Sequence, residues 1–248
     1  MGKLCDVSND GSPKEIDEYG SKDQTVRDHD PLEKFGEHEI RKDSLYFCIL
    51  ENSPVPSDGK KYFTVDESVH YYPFCHDFGP FNMGVLYKFC VCLKEMMSDG
   101  SSRSHHFYVN GDSQHITNCI FLFASYLVLV LSDTAEEAWM PFMQIPSDLI
   151  VGFRDASHGS VDFTLSILDC LRGLQKARDL HFVSFDGGYF NVEEYDNLDD
   201  PANDDMHVLV PGRFVAFKGP TDEGVASRHS QASTQRGSSS LLHKTSSS

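Results

Sequence analysis

The sequence has 248 residues, of which 24% are charged, and a formal net charge of −17 at pH 7. A chain this acidic is not expected to bind DNA, RNA or an acidic lipid surface, because such binding depends on Lys and Arg neutralising phosphates. A basic partner or a basic peptide substrate is expected instead. The length suits one domain of ordinary size with disordered ends.

The two ends of the chain are poor in large apolar residues. Residues 1–43 contain twelve Asp or Glu and seven Lys or Arg, and residues 221–248 contain nine serines. Such segments cannot bury enough apolar surface to fold alone. We therefore predict disorder in both, an acidic segment at the N-terminus and a Ser-rich tail at the C-terminus.

The first part of the folded region alternates strand-like and helix-like patterns. Short apolar runs predict strands at 45–50, 62–65 and 106–109. From Met83 the apolar residues recur at spacings of three and four, which predicts an amphipathic helix that ends before Asp99.

A turn is predicted at 110–113. The stretch 117–131 is apolar nearly all round, which fits a buried helix or a strand pair, and its length without turn signals favours the helix. Thr134 and Glu137 form a capping-box pattern that predicts a short helix carrying Trp139.

The remaining elements end with a strongly acidic segment. We predict a helix over about 162–177 with Phe163 on its apolar face, and strands at 181–185 and 208–210. Between these strands, residues 191–205 hold seven carboxylates and no Lys or Arg. Strands and helices that alternate in this way indicate an α/β domain.

Hydropathy and cysteine usage point to the cell interior. The most hydrophobic stretch, 120–131, is too short to span a bilayer, and no basic-then-apolar leader opens the chain. Most of the seven cysteines lie in apolar runs, where a reduced thiol behaves as a small hydrophobe. We expect a soluble, intracellular protein in a reducing compartment, without contact with nucleic acid or membrane.

Several short motifs, in their order and spacing, resemble the N-terminal domain of the cell-division-cycle-fourteen (Cdc-fourteen) dual-specificity phosphatases. They lie at 45–47 (LYF), 76–82 (HDFGPFN), 86–90 (LYKFC), 134–138 (TAEEA), 153–157 (FRDAS), 167–171 (ILDCL) and 211–217 (PGRFVAF). The resemblance implies an α/β, dual-specificity (tyrosine) phosphatase-like domain with a degenerate phosphate loop over 44–210, flanked by disordered ends.

The resemblance also implies a missing half. In the family, the segment matching 211–220 leads to a second domain that holds the nucleophile, whereas here the match stops at 219–220 and a Ser-rich tail follows. The chain therefore resembles a truncated isoform, a degenerate copy or an incomplete gene model. Location in the nucleus and cytoplasm, with the spindle or centrosome as further sites, is implied by the same family.

The chain's own cysteines fail a simple test for catalysis. A cysteine phosphatase needs a thiolate in a phosphate-cradling loop and an arginine six residues later. No arginine stands at the sixth position after any of the seven, which are Cys5, Cys48, Cys75, Cys90, Cys92, Cys119 and Cys170. Residues 108–115 (YVNGDSQH), where the loop is expected, contain no thiol or arginine, and Asp112 would repel phosphate. We predict no catalytic residue and no activity for the chain alone.

Three further pairs are weaker candidates. Cys90 and Cys92 lack a second ligand pair at zinc-like spacing, which favours buried thiols over a metal, and no cofactor is expected. His105 and His106 lack a recognisable nucleophile to activate. The pair Arg154–Asp155 fits a substrate contact less well than a structural ion pair or loop hydrogen bonds.

The acidic segment is the strongest candidate for a binding site. Composition alone favours a solvated face or a mobile loop. The resemblance implies instead an acidic groove that receives the basic residue after a phospho-Ser-Pro site, with Asp196, Asp199 and Asp205 as the matching carboxylates. We therefore expect a non-catalytic domain that weakly binds basic phosphopeptides, associates with itself or docks a catalytic domain. The alternatives are a fragment of an active phosphatase and an unrelated acidic scaffold protein.

Overall fold

The structure is a computed structural model, and it describes most of the chain between residues 36 and 217. The described residues are 36–55, 59–66, 68–98, 100, 103–185, 187, 189–200, 202, 203, 205–210, 212–217 and the backbone of 243–244. The prediction of disorder at 1–35 and over nearly all of 221–248 falls outside these residues.

A five-stranded sheet forms the centre of the fold. Its strands are β1 (Glu37–Arg41), β2 (Leu45–Ile49), β3 (Lys60–Thr64), β4 (Ser104–Val109) and β7 (His243–Lys244), in the spatial order β1-β2-β4-β3-β7. The three inner strands are parallel, and the two outer strands pair antiparallel to their neighbours. The strands predicted at 45–50, 62–65 and 106–109 correspond to these inner strands.

Strand β1 lies within the segment that composition assigns to the disordered N-terminus. Ile40 is its buried residue, while the flanking Glu and His side chains are exposed or half-buried. Edge strands often carry charged side chains, which discourage pairing of the open edge with another chain. Its composition therefore resembles that of a disordered segment, and the fold begins several residues before position 44.

Two helices cover one face of the sheet and form the core with it. Helix α1 (Met83–Ser98) carries Phe89, and α2 (Ser113–Leu129) carries Phe123. Both rings lie within about 6 Å of Phe107 on β4, with centroids 5.8 and 5.4 Å away. Helix α2 is buried on nearly every side, which explains its continuous apolar sequence.

Side-chain caps fix where the next helices begin. Asp112 caps α2, so this helix starts at Ser113, four residues earlier than predicted. Helix α3 (Ala135–Trp139) has both hydrogen bonds of the predicted capping box, and two short 3-10 turns follow at Met140–Phe142 and Ser147–Leu149.

Helix α4 (Ile167–Asp179) begins later than predicted, because Ser166 and Asp169 form a capping box and Leu165 pairs in an isolated bridge with Phe153. Phe163 lies before this helix and is 70% exposed, so its predicted place on the buried face is wrong.

The strand predicted at 181–185 is also absent from the described structure. His181 has a φ of 58°, and the N–H groups of Phe182 and Val183 both donate to the carbonyl of Ala177. These backbone groups cap the end of α4 and are unavailable for a sheet. The apolar residues at 181–185 suggested a strand, but Phe185 instead packs its ring against that of Tyr87.

The acidic segment contains a helix, α5 (Val192–Asp199), followed by a hairpin of β5 (Met206–Val210) and β6 (Phe214–Phe217). Asn191 caps α5 by accepting from Glu194 N. Strand β6 occupies part of the predicted linker 211–220. No helix in the described part of the chain combines the length and apolar character that crossing a membrane requires.

Candidate functional site: the phosphate-loop position and the acidic helix

Carboxylates contact the turn between β4 and α2, where the resemblance places a phosphate loop. The Asn110 N–H donates to Asp66 Oδ2 over 2.9 Å, and His115 Nε2 lies 2.8 Å from Asp66 Oδ1. At the N-terminus of α2 the Asp112 side chain accepts from His115 N. The backbone N–H groups and helix dipole that would bind an anion are thus partly neutralised by the chain's own acids.

The cleft beside this turn suits an anion poorly. It has a volume of about 430 Å³ and is lined by the end of β2 and the segment after it, the β4–α2 turn, α2 and the second 3-10 turn: Ile49, Leu50, Glu51, Asn52, Asn110, Gly111, Ile116 and Leu149. No Lys, Arg or Cys is among them. This geometry agrees with the degenerate phosphate loop implied by the sequence.

Burial makes most of the described cysteines unsuitable as nucleophiles. Burial raises the pKa of Cys48 to about 12, with a smaller contribution from the Glu37 carboxylate, and burial also raises the pKa of Cys90 and of Cys119. A thiol with a raised pKa stays protonated at neutral pH, whereas the thiolate is the nucleophile. Cys90 lies in the core and Cys92 is half-buried.

His106 has partners that sequence reasoning did not find. Its Nε2 lies 2.8 Å from Ser104 Oγ, and its Nδ1 lies 3.0 Å from Glu37 Oε2. This is the hydroxyl–imidazole–carboxylate order of a hydrolase triad. However, the N–H groups of Arg103 and Ser104 both donate to the carbonyl of Gly59 over 3.1 Å, so they cannot stabilise an oxyanion. The arrangement is therefore structural.

Helix α5 lies close against α1, and an aromatic contact and a glycine allow this approach. The ring of Phe190, just before α5, is 5.1 Å from that of Tyr87 on α1 and 5.5 Å from that of Tyr195 on α5. A Cβ atom on Gly84 of α1 would lie 2.7 Å from Asp196 Oδ1 and 3.0 Å from the Tyr195 ring. The absence of a side chain at Gly84 therefore sets the distance between the helices.

Two of the three predicted site carboxylates already bind groups of the same chain. Asp196 accepts a hydrogen bond from Lys88 Nζ in a half-exposed ion pair. Asp199 is largely buried; its Oδ2 accepts from Asn82 Nδ2 over 2.9 Å and its Oδ1 lies 3.3 Å from His207 Nδ1. Sequence analysis missed Lys88, Asn82 and His207 because they lie on α1, on the loop before it and on β5.

The third predicted carboxylate, Asp205, stands where the chain enters β5. Its φ is 44°, and its N–H donates to the carbonyl of Asp200 over 3.3 Å. Asp200 in turn follows the C-terminal end of α5, so the three predicted residues lie along one continuous region from α5 to the start of β5. We define the acidic surface as the carboxylates Asp196, Asp199, Asp200 and Asp205.

The motif at 153–157 is held by loop hydrogen bonds, which is one of the two structural alternatives considered from the sequence. Arg154 Nη2 donates to the carbonyls of Ser157 and Gly159 over 2.6 and 3.3 Å. Asp155 Oδ1 accepts from Ser157 N, and this bond contributes most to lowering the pKa of Asp155. The guanidinium is thus engaged in shaping its own loop.

Comparison with known proteins gives consistent matches. Residues 39–177 match the family described as "Dual specificity protein phosphatase, N-terminal half". The chain is 38% identical over 191 residues to "Dual specificity protein phosphatase CDC14A" of Homo sapiens, covering 76% of this chain and 32% of that protein. It is 28% identical over 187 residues to "Tyrosine-protein phosphatase CDC14" of Saccharomyces cerevisiae, covering 75% and 33%. The chain spans about a third of the length of these relatives.

Proposed function

This chain belongs to the dual specificity protein phosphatases of the CDC14 type, whose N-terminal half it carries, and from this membership we propose that its acidic surface binds the basic residue that follows a phospho-Ser-Pro site. In this role the domain recognises a phosphoprotein substrate and does not cleave it. Removal of phosphate belongs to a separate catalytic domain, since no cysteine of the chain has an arginine at the required position.

The observation that carries the proposal is that the acidic surface already binds basic side chains of its own chain. Lys88 pairs with Asp196, and His207 contacts Asp199. No Lys or Arg lies between 191 and 205. A basic side chain of a peptide would pair with these carboxylates in the same way. Its affinity would be weak, because exposed ion pairs contribute only about 0–1 kcal/mol each.

Titration of a labelled peptide with a basic residue after phospho-Ser-Pro tests the proposal. We expect weak binding by the wild type that falls as salt is added, and a further loss in the triple variant Asp196→Asn, Asp199→Asn, Asp205→Asn. The matched control is Glu95→Gln, Asp148→Asn, Asp162→Asn, which makes the same change in net charge at exposed sites elsewhere. Equal binding by the two triple variants would show that only the overall charge matters.

Family membership also supports a cellular role and location. We propose that the chain acts in cell-cycle dephosphorylation within the nucleus and cytoplasm, and at the spindle or centrosome. Its partners would be a catalytic phosphatase domain or a second copy of itself. Imaging of the tagged chain through division tests the location, and exclusion from all of these structures would contradict it.

A further inference from the structure

Two loops bring a cysteine and two histidines together on the surface. Cys75 and His76 lie in the loop before α1, and His158 lies in the loop after Phe153. One potential ligand atom from each residue lies within 4.8 Å of the other two. Cys75 Sγ is 3.7 Å from both ring nitrogens of His158, and the two imidazole centroids are 5.2 Å apart.

The backbone around these side chains is fixed by hydrogen bonds. Phe78 and Arg154 exchange N–H···O bonds of 3.1 and 2.7 Å, which join the two loops. Within the first loop, Asp77 Oδ1 accepts from Cys75 N over 2.7 Å, and Asp77 Oδ2 also accepts from Tyr71. A site whose backbone is held in advance loses less conformational freedom when a ligand binds.

We propose that Cys75, His76 and His158 bind one zinc ion. Thiolate sulfur and imidazole nitrogen are the ligands that Zn²⁺ prefers, at about 2.3 and 2.0–2.1 Å in a tetrahedral arrangement. At these lengths a sulfur and the ligating nitrogen of one tetrahedron lie about 3.6 Å apart. Cys75 Sγ lies 3.7 Å from both ring nitrogens of His158, so the distance suits a shared ion and the exposed His158 ring has to turn to point one nitrogen at it. All three side chains are exposed, so the fourth position faces solvent and takes a water molecule.

The two other groupings of ligand residues in the described structure are less suitable. In the group of Asp66, His115 and Cys119 the thiol is fully buried, and Asp66 holds the Asn110 N–H. In the group of Glu37, Cys48 and His106 the thiol is again fully buried. A metal needs an entry path, and the exposed Cys75 provides one.

The sequence alone could not indicate this site, and we predicted no metal from it. Zinc motifs are recognised by two ligand pairs at short, regular spacing. Here two ligands are adjacent, and the third lies 83 residues from Cys75. The bridge between Phe78 and Arg154 and the ring contact between Phe78 and Phe153 bring them together.

Titration of the full chain with Co²⁺, and with Zn²⁺ against a chromophoric chelator, tests the proposal. We expect one ion per chain and a thiolate-to-cobalt charge-transfer band. Cys75→Ser should abolish the band, and Cys75→Ser or His158→Gln should weaken Zn²⁺ binding by more than the roughly 10–100-fold that loss of an outer-shell partner costs. Zn²⁺ should also raise the melting temperature of the wild type but not of Cys75→Ser, because the ion joins two loops.

Matched controls replace thiols outside the cluster. Cys5→Ser, Cys119→Ser and Cys170→Ser should bind Co²⁺ like the wild type and keep its band. Since all three proposed ligands are exposed, Cys75→Ser should fold normally, which circular dichroism verifies. The absence of Co²⁺ binding by the folded wild type, a band retained by Cys75→Ser, or a band lost only in Cys119→Ser would each overturn the proposal.

Discussion

At the scale of single residues, Lys88 acts as a competitor within the acidic surface. Its ammonium group occupies Asp196, which we propose as a ligand for a basic peptide residue. We predict that Lys88→Gln strengthens binding of the peptide by about 1.4- to fivefold, the factor that corresponds to an exposed pair of about 0.2–1 kcal/mol.

The same peptide titration measures this change, and Lys94→Gln, an exposed residue of the same helix, is the matched control. Both variants lower the positive charge by one. An increase of equal size in both would point to net charge alone, and a decrease in Lys88→Gln would mean that Lys88 itself contacts the peptide.

His106 gives a residue-level prediction about pH. Burial lowers the pKa of His106 below its usual value near 6.5, against the opposing effect of the Glu37 carboxylate, while the nearby Lys60 also lowers it. The folded state therefore binds a proton less readily than the unfolded chain. Stability should be unaffected by this group above pH 7 and should fall as the pH drops through about 6.5.

Urea unfolding between pH 7.5 and 5 measures this effect. The loss of stability on acidification should be smaller in His106→Gln than in the wild type, whereas the exposed His70→Gln should follow the wild type. The quantity to compare is the change in the free energy of unfolding with pH, and not its absolute value. Loss of the stacking contact with Tyr46 lowers the absolute value at every pH and leaves this change unaltered. Parallel slopes for all three proteins would contradict the assignment.

At the scale of elements, the contact between α1 and α5 depends on Gly84. Ala in a helix interior is normally favoured over Gly by about 0.5–1 kcal/mol. At Gly84 the added methyl group would meet Asp196 and the ring of Tyr195, so we predict that Gly84→Ala displaces α5 and weakens peptide binding.

Gly173→Ala in α4 is the matched control, because a Cβ there meets nothing within 4 Å. It should stabilise the protein by about 0.5–1 kcal/mol and leave peptide binding unchanged. Chemical unfolding and peptide titration of both variants provide the measurements. Equal stabilisation with unchanged binding in Gly84→Ala would show that α5 tolerates the methyl group and that the close approach is unimportant.

The sequence predicted those helices whose caps or apolar spacing lie within the helix itself or next to it. The capping residues Thr134 and Glu137 and the spacing of apolar residues after Met83 gave α3 and α1. Helix α5 was not predicted, because the seven carboxylates of residues 191–205 made this segment look like a solvated face or loop. Asn191 and Glu194 nevertheless form a recognisable capping pair. The side chains that contact the acidic surface, Asn82, Lys88 and His207, could not be predicted from the sequence. They come from other segments of the chain, and only the fold brings them to these carboxylates.

At the scale of the whole molecule, the hairpin of β5 and β6 carries several exposed apolar side chains. Leu209, Phe214 and Phe217 are each more than 60% exposed, and Val208 and Val215, which pair across the hairpin, are each 47% exposed. A two-stranded hairpin is only marginally stable by itself, and contiguous exposed apolar patches usually mark an interaction site. We therefore propose that another protein surface covers this hairpin, either a second copy or a catalytic domain of the same family.

This leads to a prediction about assembly. The purified chain should associate with itself at increasing concentration or bind a separately expressed CDC14-type catalytic domain, as measured by size exclusion with light scattering. Phe214→Ser with Phe217→Ser should weaken that association, because it removes two aromatic groups from the surface to be covered. Phe74→Ser with Phe163→Ser, which alters two equally exposed rings outside the hairpin, should not. A wild type that stays monomeric and binds no catalytic domain would show that the hairpin is stable when exposed and that the interface proposal is wrong.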